Sequence, residues 1–165
     1  QRQRLEAREE AILAAATSLF GESGVDGARM AEIARRADVA EGTVYLYYKN
    51  KHELLEAVVD LFWRELTKGA KAAITPDASL SQQLTELANY HLSSLIDDFK
   101  IVEITSRARQ RHGEPGRQLP QIREYVRVFD LIMQRGITSG ELEAATPVWQ
   151  MRGCVQTLRS SAGRT

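Results

Sequence analysis

Residues 30–51 read MAEIARRADVAEGTVYLYYKNK, and the fold turns on this stretch. Met30, Ile33 and Ala34 stand at helical spacing and predict a short helix ending near Ala37. Asp38, Val39 and Ala40 then make a brief turn, led by an aspartate, a residue that tolerates left-handed backbone better than most. From Glu41 to Tyr48 the positions Val44, Tyr45 and Tyr48 again have helical spacing, with Val44 pointing inward. Two short helices joined by so brief a turn are the sequence signature of a helix-turn-helix.

The flanks extend the same pattern. Between Arg4 and Phe20 the apolar residues Leu5, Ile12, Leu13, Ala16, Leu19 and Phe20 trace one face of an amphipathic helix, and the glycines at 21, 24 and 27 read as its stop. Asn50 offers an N-cap with Glu53 at the third helical position, followed by Leu54, Leu55, Val58, Phe62 and Leu66 on a long helix. A proline-containing break at Thr75–Ala78 ends it. Ser79 with Gln82 then forms a capping box before the stripe Leu80, Leu84, Leu87, His91, Leu95 and Phe99. A shorter helix is expected over 101–111, a wide apolar face over Gln121–Thr138 closed by Gly140, and a last helix from Thr146-Pro147 through Leu158. Alternating β-branched runs and internal repeats are absent from the sequence, so the fold class is all-α: an N-terminal three-helix helix-turn-helix domain, residues 1–50, and a helical ligand-binding and dimerisation domain, residues 51–165, linked through the long fourth helix.

Composition narrows the function classes. With 43% hydrophobic residues, 27% charged, 4 Pro and 11 Gly in 165 residues, the chain has the makings of a soluble, helix-rich core. No apolar run approaches the ~18 residues of a membrane helix and no basic leader precedes an apolar segment, so the expected location is cytoplasmic. The single cysteine, Cys154, excludes an intrachain disulfide and reads as a small buried hydrophobe. HExxH, GxSxG, P-loop and CxxC patterns are all missing and the three histidines are scattered. The expectation is therefore not an enzyme, with no cofactor and no metal. Charge gives no help to a nucleic-acid reading, because 22 Lys and Arg balance 22 Asp and Glu, and residues 1–68 carry 10 basic against 12 acidic side chains. Any contact with DNA must rest on where particular groups sit.

Residues 5–62 resemble the DNA-binding domain of the TetR family. The resemblance lies in Ile12-Leu13-Ala14-Ala15-Ala16-Thr17-Ser18-Leu19-Phe20 with Gly24, in Ile33-Ala34 and Ala37-Asp38-Val39, and in Gly42-Thr43-Val44-Tyr45-Leu46-Tyr47-Tyr48 with Lys51. It implies a ligand-responsive repressor that binds a pseudo-palindromic double-stranded operator as a homodimer, third helices one turn apart at roughly 34 Å. The implied DNA contacts are Arg29, Glu41, Gly42, Thr43, Tyr45, Leu46, Tyr47, Tyr48 and Lys51. Gly42 leaves room for close approach, and the hydroxyls of Thr43, Tyr45 and Tyr48 can donate to phosphate. Tyr47 at its spacing can instead pack against the first helix. Glu41 could accept from cytosine N4, and Leu46 meets a thymine methyl or nothing. Ala28 and Arg29 stand where the family has Ser or Thr, which leaves Gly27 as a weak cap for the second helix. Asp38 replaces the usual glycine of the turn.

The resemblance also implies a small-molecule site, with Phe62, Tyr90, His91, Phe99, Arg107, Phe129 and Trp149 as candidates, although aromatic stripes at helical spacing equally describe a core. Arg107, Arg109, Arg111, His112 and Arg117 form a basic run that is either a solvated face or a site for an anionic head group. The wording from Thr43 to Lys51, together with Ile137-Thr138-Ser139-Gly140-Glu141-Leu142, is similar to the fatty-acid-responsive branch, whose effectors are long-chain acyl-CoAs. The alternative is a helical ligand-binding or interaction module that no longer binds DNA. Relatives end in two dimer-forming helices, so the chain is expected to be incomplete at its C-terminus.

Overall fold

A computed structural model describes residues 2–97 and 120–143. Among these residues six helices follow in order: α1 (Arg2–Gly27), α2 (Met30–Arg36), α3 (Glu41–Tyr47), α4 (Lys51–Ala73), α5 (Leu80–Asp97) and α6 (Pro120–Ser139). Among the described residues there is no strand, in keeping with the all-α reading. The expected helices over 101–111 and 146–158, the basic run and Cys154 lie outside the described residues.

The first three helices share one core with the opening turns of α4. Ile12 and Phe20 of α1, Ile33 of α2, Val44 of α3 and Leu54 of α4 are all essentially fully buried in it. Each such side chain contributes about 1.5–3 kcal/mol of burial free energy. Because Val58 and Val59 belong to the same cluster, the boundary expected at residue 50 separates α3 from α4 in sequence but not in packing. Further along, α4 packs on α5 and α6, so this one helix is common to both halves.

The helix ends carry the local signals. Asn50 Oδ1 accepts from the amides of His52 and Glu53, and the Glu53 carboxylate reaches back to the Lys49 amide at 2.9 Å. The expected cap is therefore present at the start of α4, and the Glu53 carboxylate reaches past it to the preceding amide in place of the Asn50 amide of a capping box. At α5, Ser79 Oγ accepts from the Gln82 amide at 3.3 Å, whereas the Gln82 side chain turns to Glu86. The Leu80 amide donates to Glu141, just past the end of α6.

The glycine-rich stop after Phe20 is a kink rather than an end. Helical structure runs through to Gly27, interrupted only at Gly24, whose φ of 70° and ψ of 168° lie in a region that only glycine enters cheaply. Gly27 is not the cap of α2, either. Arg29, two residues further on, holds that position in extended backbone and makes no side-chain cap bond.

The turn of the helix-turn-helix closes on Asp38. Its φ is 53°, the one positive value at a non-glycine among the described residues. The Asp38 amide donates to Arg35 O and the Val39 amide to Ala34 O, the paired bonds of a Schellman ending with aspartate in the left-handed place. Val39 is thereby tucked against the core. A β-branched residue cannot sit in that conformation cheaply, so Asp38→Val is expected to lower stability by about 2 kcal/mol in urea unfolding, whereas Asp38→Gly lowers it not at all. Equal losses in both variants would exclude backbone conformation as the reason.

Candidate nucleic-acid interface

α3 has seven residues, too few to be helical by propensity alone. It is held by Val44, 0% exposed, and by Tyr48, 6% exposed, both seated in the α1–α4 core. With these two facing in, Glu41, Gly42, Tyr45 and Leu46 face out. Tyr45 is 46% exposed and Leu46 85%, while Thr43 is half-buried at the edge. A Cβ placed on Gly42 meets nothing within 4 Å, so no intramolecular crowding requires glycine there.

Tyr48 is a correction to the expected set of contacts. α3 ends at Tyr47, and Tyr48 follows in extended backbone with φ −138° and ψ 116°. The ring is carried inward and its hydroxyl donates to Glu9 Oε1 of α1 at 3.2 Å. Burial, with the Glu9 charge nearby, pushes its phenol pKa well above the ordinary value, so the proton stays on. Tyr47 is half-buried and turns to the same helix, donating to Leu5 O at 3.2 Å. These two rings, 6.3 Å apart, fasten the end of α3 to the first turns of α1.

Lys51 is half-buried, with its ammonium on Asp26 O at 2.9 Å. It ties the start of α4 to the last turn of α1. Arg29 lies exposed at the head of α2.

A charge cluster that periodicity did not reveal joins α1 to α2. Arg36 donates through both terminal nitrogens to the Glu22 carboxylate, 2.7 Å each, and through Nε to Glu32 at 3.1 Å. Arg35 makes two bonds to the same Glu32, at 2.8 and 2.6 Å. Donation by Arg35 and then Arg36 holds the Glu32 carboxyl down at about 2, and Glu22 with Glu32 raises the Arg36 guanidinium further. Arg35 and Arg36 are therefore matched within the chain. The i, i+3 and i, i+4 spacing of Glu32 with the arginines was visible in the sequence, but the partner across the kink at Glu22 was not.

Residues 12–58 match the family model of bacterial regulatory proteins, tetR family. The helix-turn-helix region thus matches the TetR family, as the resemblance of residues 5–62 implied. The chain is similar to the fatty acid metabolism regulator protein of Bacillus subtilis (strain 168), 29% identical over 139 residues that span 83% of this chain and 72% of that protein. Among solved structures, FadR from Bacillus subtilis in complex with stearoyl-CoA superposes with a TM-score of 0.71 at 26% identity, covering 90% of this chain and 81% of that one. FadR from Bacillus halodurans superposes at 0.72 with 20% identity, covering 92% and 79%, a likeness of fold. The TetR-type proteins the chain resembles are transcriptional regulators, not enzymes. Among the described residues no helix is long and apolar enough to cross a membrane.

The candidates for ligand contact divide. Phe62 of α4 and Tyr90 of α5 line an open cleft of about 520 Å³, together with Leu66, Gly69, Ser94 and Thr17 of α1. Tyr90 lies so close to α4 that a Cβ on Gly69 would land on its hydroxyl, so glycine there permits the approach of the two helices. His91 belongs elsewhere. Its Nδ1 is 2.6 Å from the Tyr125 hydroxyl of α6, whose ring meets Trp63 edge-on at 5.9 Å. Burial raises the Tyr125 phenol to about 12 and lowers His91 below 6.5, so the phenol donates and neutral Nδ1 accepts. Phe129 is half-buried on α6, outside that cleft lining, and Phe99, Arg107 and Trp149 lie outside the described residues. Trp63 and Tyr125, which the sequence reading passed over as ligand candidates, turn out to centre the second cluster. Their helical spacing was legible, but which aromatic rings converge from three helices was not.

Two outcomes follow from these placements. Tyr48→Ala is expected to lower stability by about 3–5 kcal/mol, as for a buried aromatic, and Tyr45→Ala by less than about 0.5, both by urea unfolding. Similar losses at the two positions would contradict the division of α3 into inner and outer faces. His91 takes its proton at lower pH in the folded state than in the unfolded chain, so the stabilisation is whole above pH 6.5 and lost progressively as pH falls below it. Thermal unfolding from pH 7.5 to 5 should therefore show a steeper loss for the native chain than for His91→Gln, and parallel curves would refute the assignment.

Proposed function

We propose that the chain is a ligand-responsive repressor that binds a pseudo-palindromic operator as a homodimer. The observation that carries this reading is the outward face of α3, held rigid from behind by Val44 and Tyr48 and made of residues with no intramolecular task. Glu41, Gly42, Thr43, Tyr45 and Leu46 form the surface offered to the major groove, and Arg29 and Lys51 flank it as phosphate contacts. Tyr47 contributes from the edge, its hydroxyl shared with Leu5. Residues 1–50 are the DNA-reading part and 51–165 the sensing and dimer-forming part.

Long-chain acyl-CoA is the proposed effector. FadR from Bacillus subtilis has been solved with stearoyl-CoA, and this chain follows that fold over most of its length. The aromatic cluster also holds a buried Trp63 indole N–H that meets no acceptor among the described residues, a donor available to a bound molecule. A ligand dislodges the dimer only by binding a conformation with altered half-site spacing better than the DNA-competent one.

Gel retardation with DNA upstream of the chain's own gene tests both parts. The native chain should retard a palindromic fragment, Tyr45→Ala should weaken the complex at least about tenfold without loss of folding, and saturating stearoyl-CoA should release it. Because Arg35 and Arg36 are matched internally, the slope of log K against log salt should be shallower than about −8. Tight acyl-CoA binding with no DNA retardation would point instead to a ligand-binding module that has lost its operator.

A further inference from the structure

The outer face of α3 has an apolar centre. Gly42, Tyr45 and Leu46 stand at spacings of three and four on one side of the helix, all exposed, with Leu46 projecting furthest. Single exposed leucines are common on protein surfaces, so exposure by itself carries no weight. Position does. Of the five large hydrophobic side chains exposed among the described residues, two are neighbours on this seven-residue helix, and Leu46 is the most exposed of all.

We infer that Leu46 selects thymine in each operator half-site through the base's 5-methyl group. This rests on the DNA-binding reading above. In the major groove every base edge offers donors or acceptors, and the one apolar group is the methyl of thymine. Leucine has neither donor nor acceptor. Set over guanine, cytosine or adenine, it excludes water from polar atoms and replaces none of their hydrogen bonds, which is unfavourable. Set over thymine, it buries methyl against methyl. Arg35 and Arg36 of α2 do not offer a competing mode, because they are bonded to Glu32 and Glu22, and guanine is read by free bidentate guanidinium groups. Gly42, one turn before Leu46, leaves nothing to hold the helix away from the bases.

The test begins by selecting duplexes from a random double-stranded library with the full chain, then replacing each thymine of the enriched sequence by deoxyuridine. One thymine per half-site is expected whose demethylation weakens binding about fourfold, the factor for burying one methyl-sized group. Leu46→Ala should bind the thymine and uracil duplexes alike, while Leu46→Met, still apolar, keeps the preference. Circular dichroism confirms that both variants fold, as expected for so exposed a site. The inference is overturned if no thymine methyl matters, or if Leu46→Ala discriminates as well as the native chain. Failure to enrich any sequence is a different result: it removes the DNA-binding reading, and this inference with it.

Discussion

The burial of Val44 and Tyr48 is the constraint on which the rest depends. A seven-residue helix has no stability of its own in water, so α3 exists as a helix because two of its neighbouring side chains, one on the helix and one just beyond it, are taken into a core built by α1, α2 and α4. The same burial sets the rotation of α3 about its axis. Once Val44 is inside, Tyr45 and Leu46 have nowhere to go but out. Tyr47 and Tyr48 then close the arrangement by bonding Leu5 and Glu9, four residues apart on α1.

Electrostatics act mainly inside the domain. The Glu22, Glu32, Arg35 and Arg36 cluster lies near the surface, where a single ion pair is worth little, yet the bidentate pairing of Arg36 across two helices fixes an angle that packing of small residues alone leaves loose. Lys51 does similar work on the other side, holding the last turn of α1 by a carbonyl. The net charge of the N-terminal half therefore understates its order and does not measure its capacity to meet DNA. What faces outward on α3 is a surface of hydroxyls, a bare glycine, a leucine and the single carboxylate of Glu41, suited to contact by shape and by a few directed bonds.

The helices, their order and most caps were legible because each follows from short-range rules. Asn50 with Glu53, Ser79 with Gln82 and the left-handed Asp38 involve residues within a few positions of one another, and all three were found as expected or nearly so. Faces were less legible where an element ends. Tyr45 and Tyr48 are three apart and look equivalent on a helical wheel, but the chain leaves the helix at Tyr48 and the ring swings to α1. The glycines at 21, 24 and 27 look alike too. One of them bends the helix and the others do not, because only at Gly24 does the backbone take a positive φ.

From the sequence by itself came the all-α class, the helix-turn-helix and the family that region resembles, since hydrophobic period, turn chemistry and a dense run of fixed residue types are local properties. Only the tertiary structure decided which side chains those helices keep for themselves. Tyr48, Arg35 and Arg36 are drawn into the domain's own bonds, His91 pairs with Tyr125 from a distant helix, and Phe62 and Tyr90 come to share a cleft. Each of these depends on a partner far away in the chain, and a contact between distant residues is set by how helices cross, not by the order of the letters that build them.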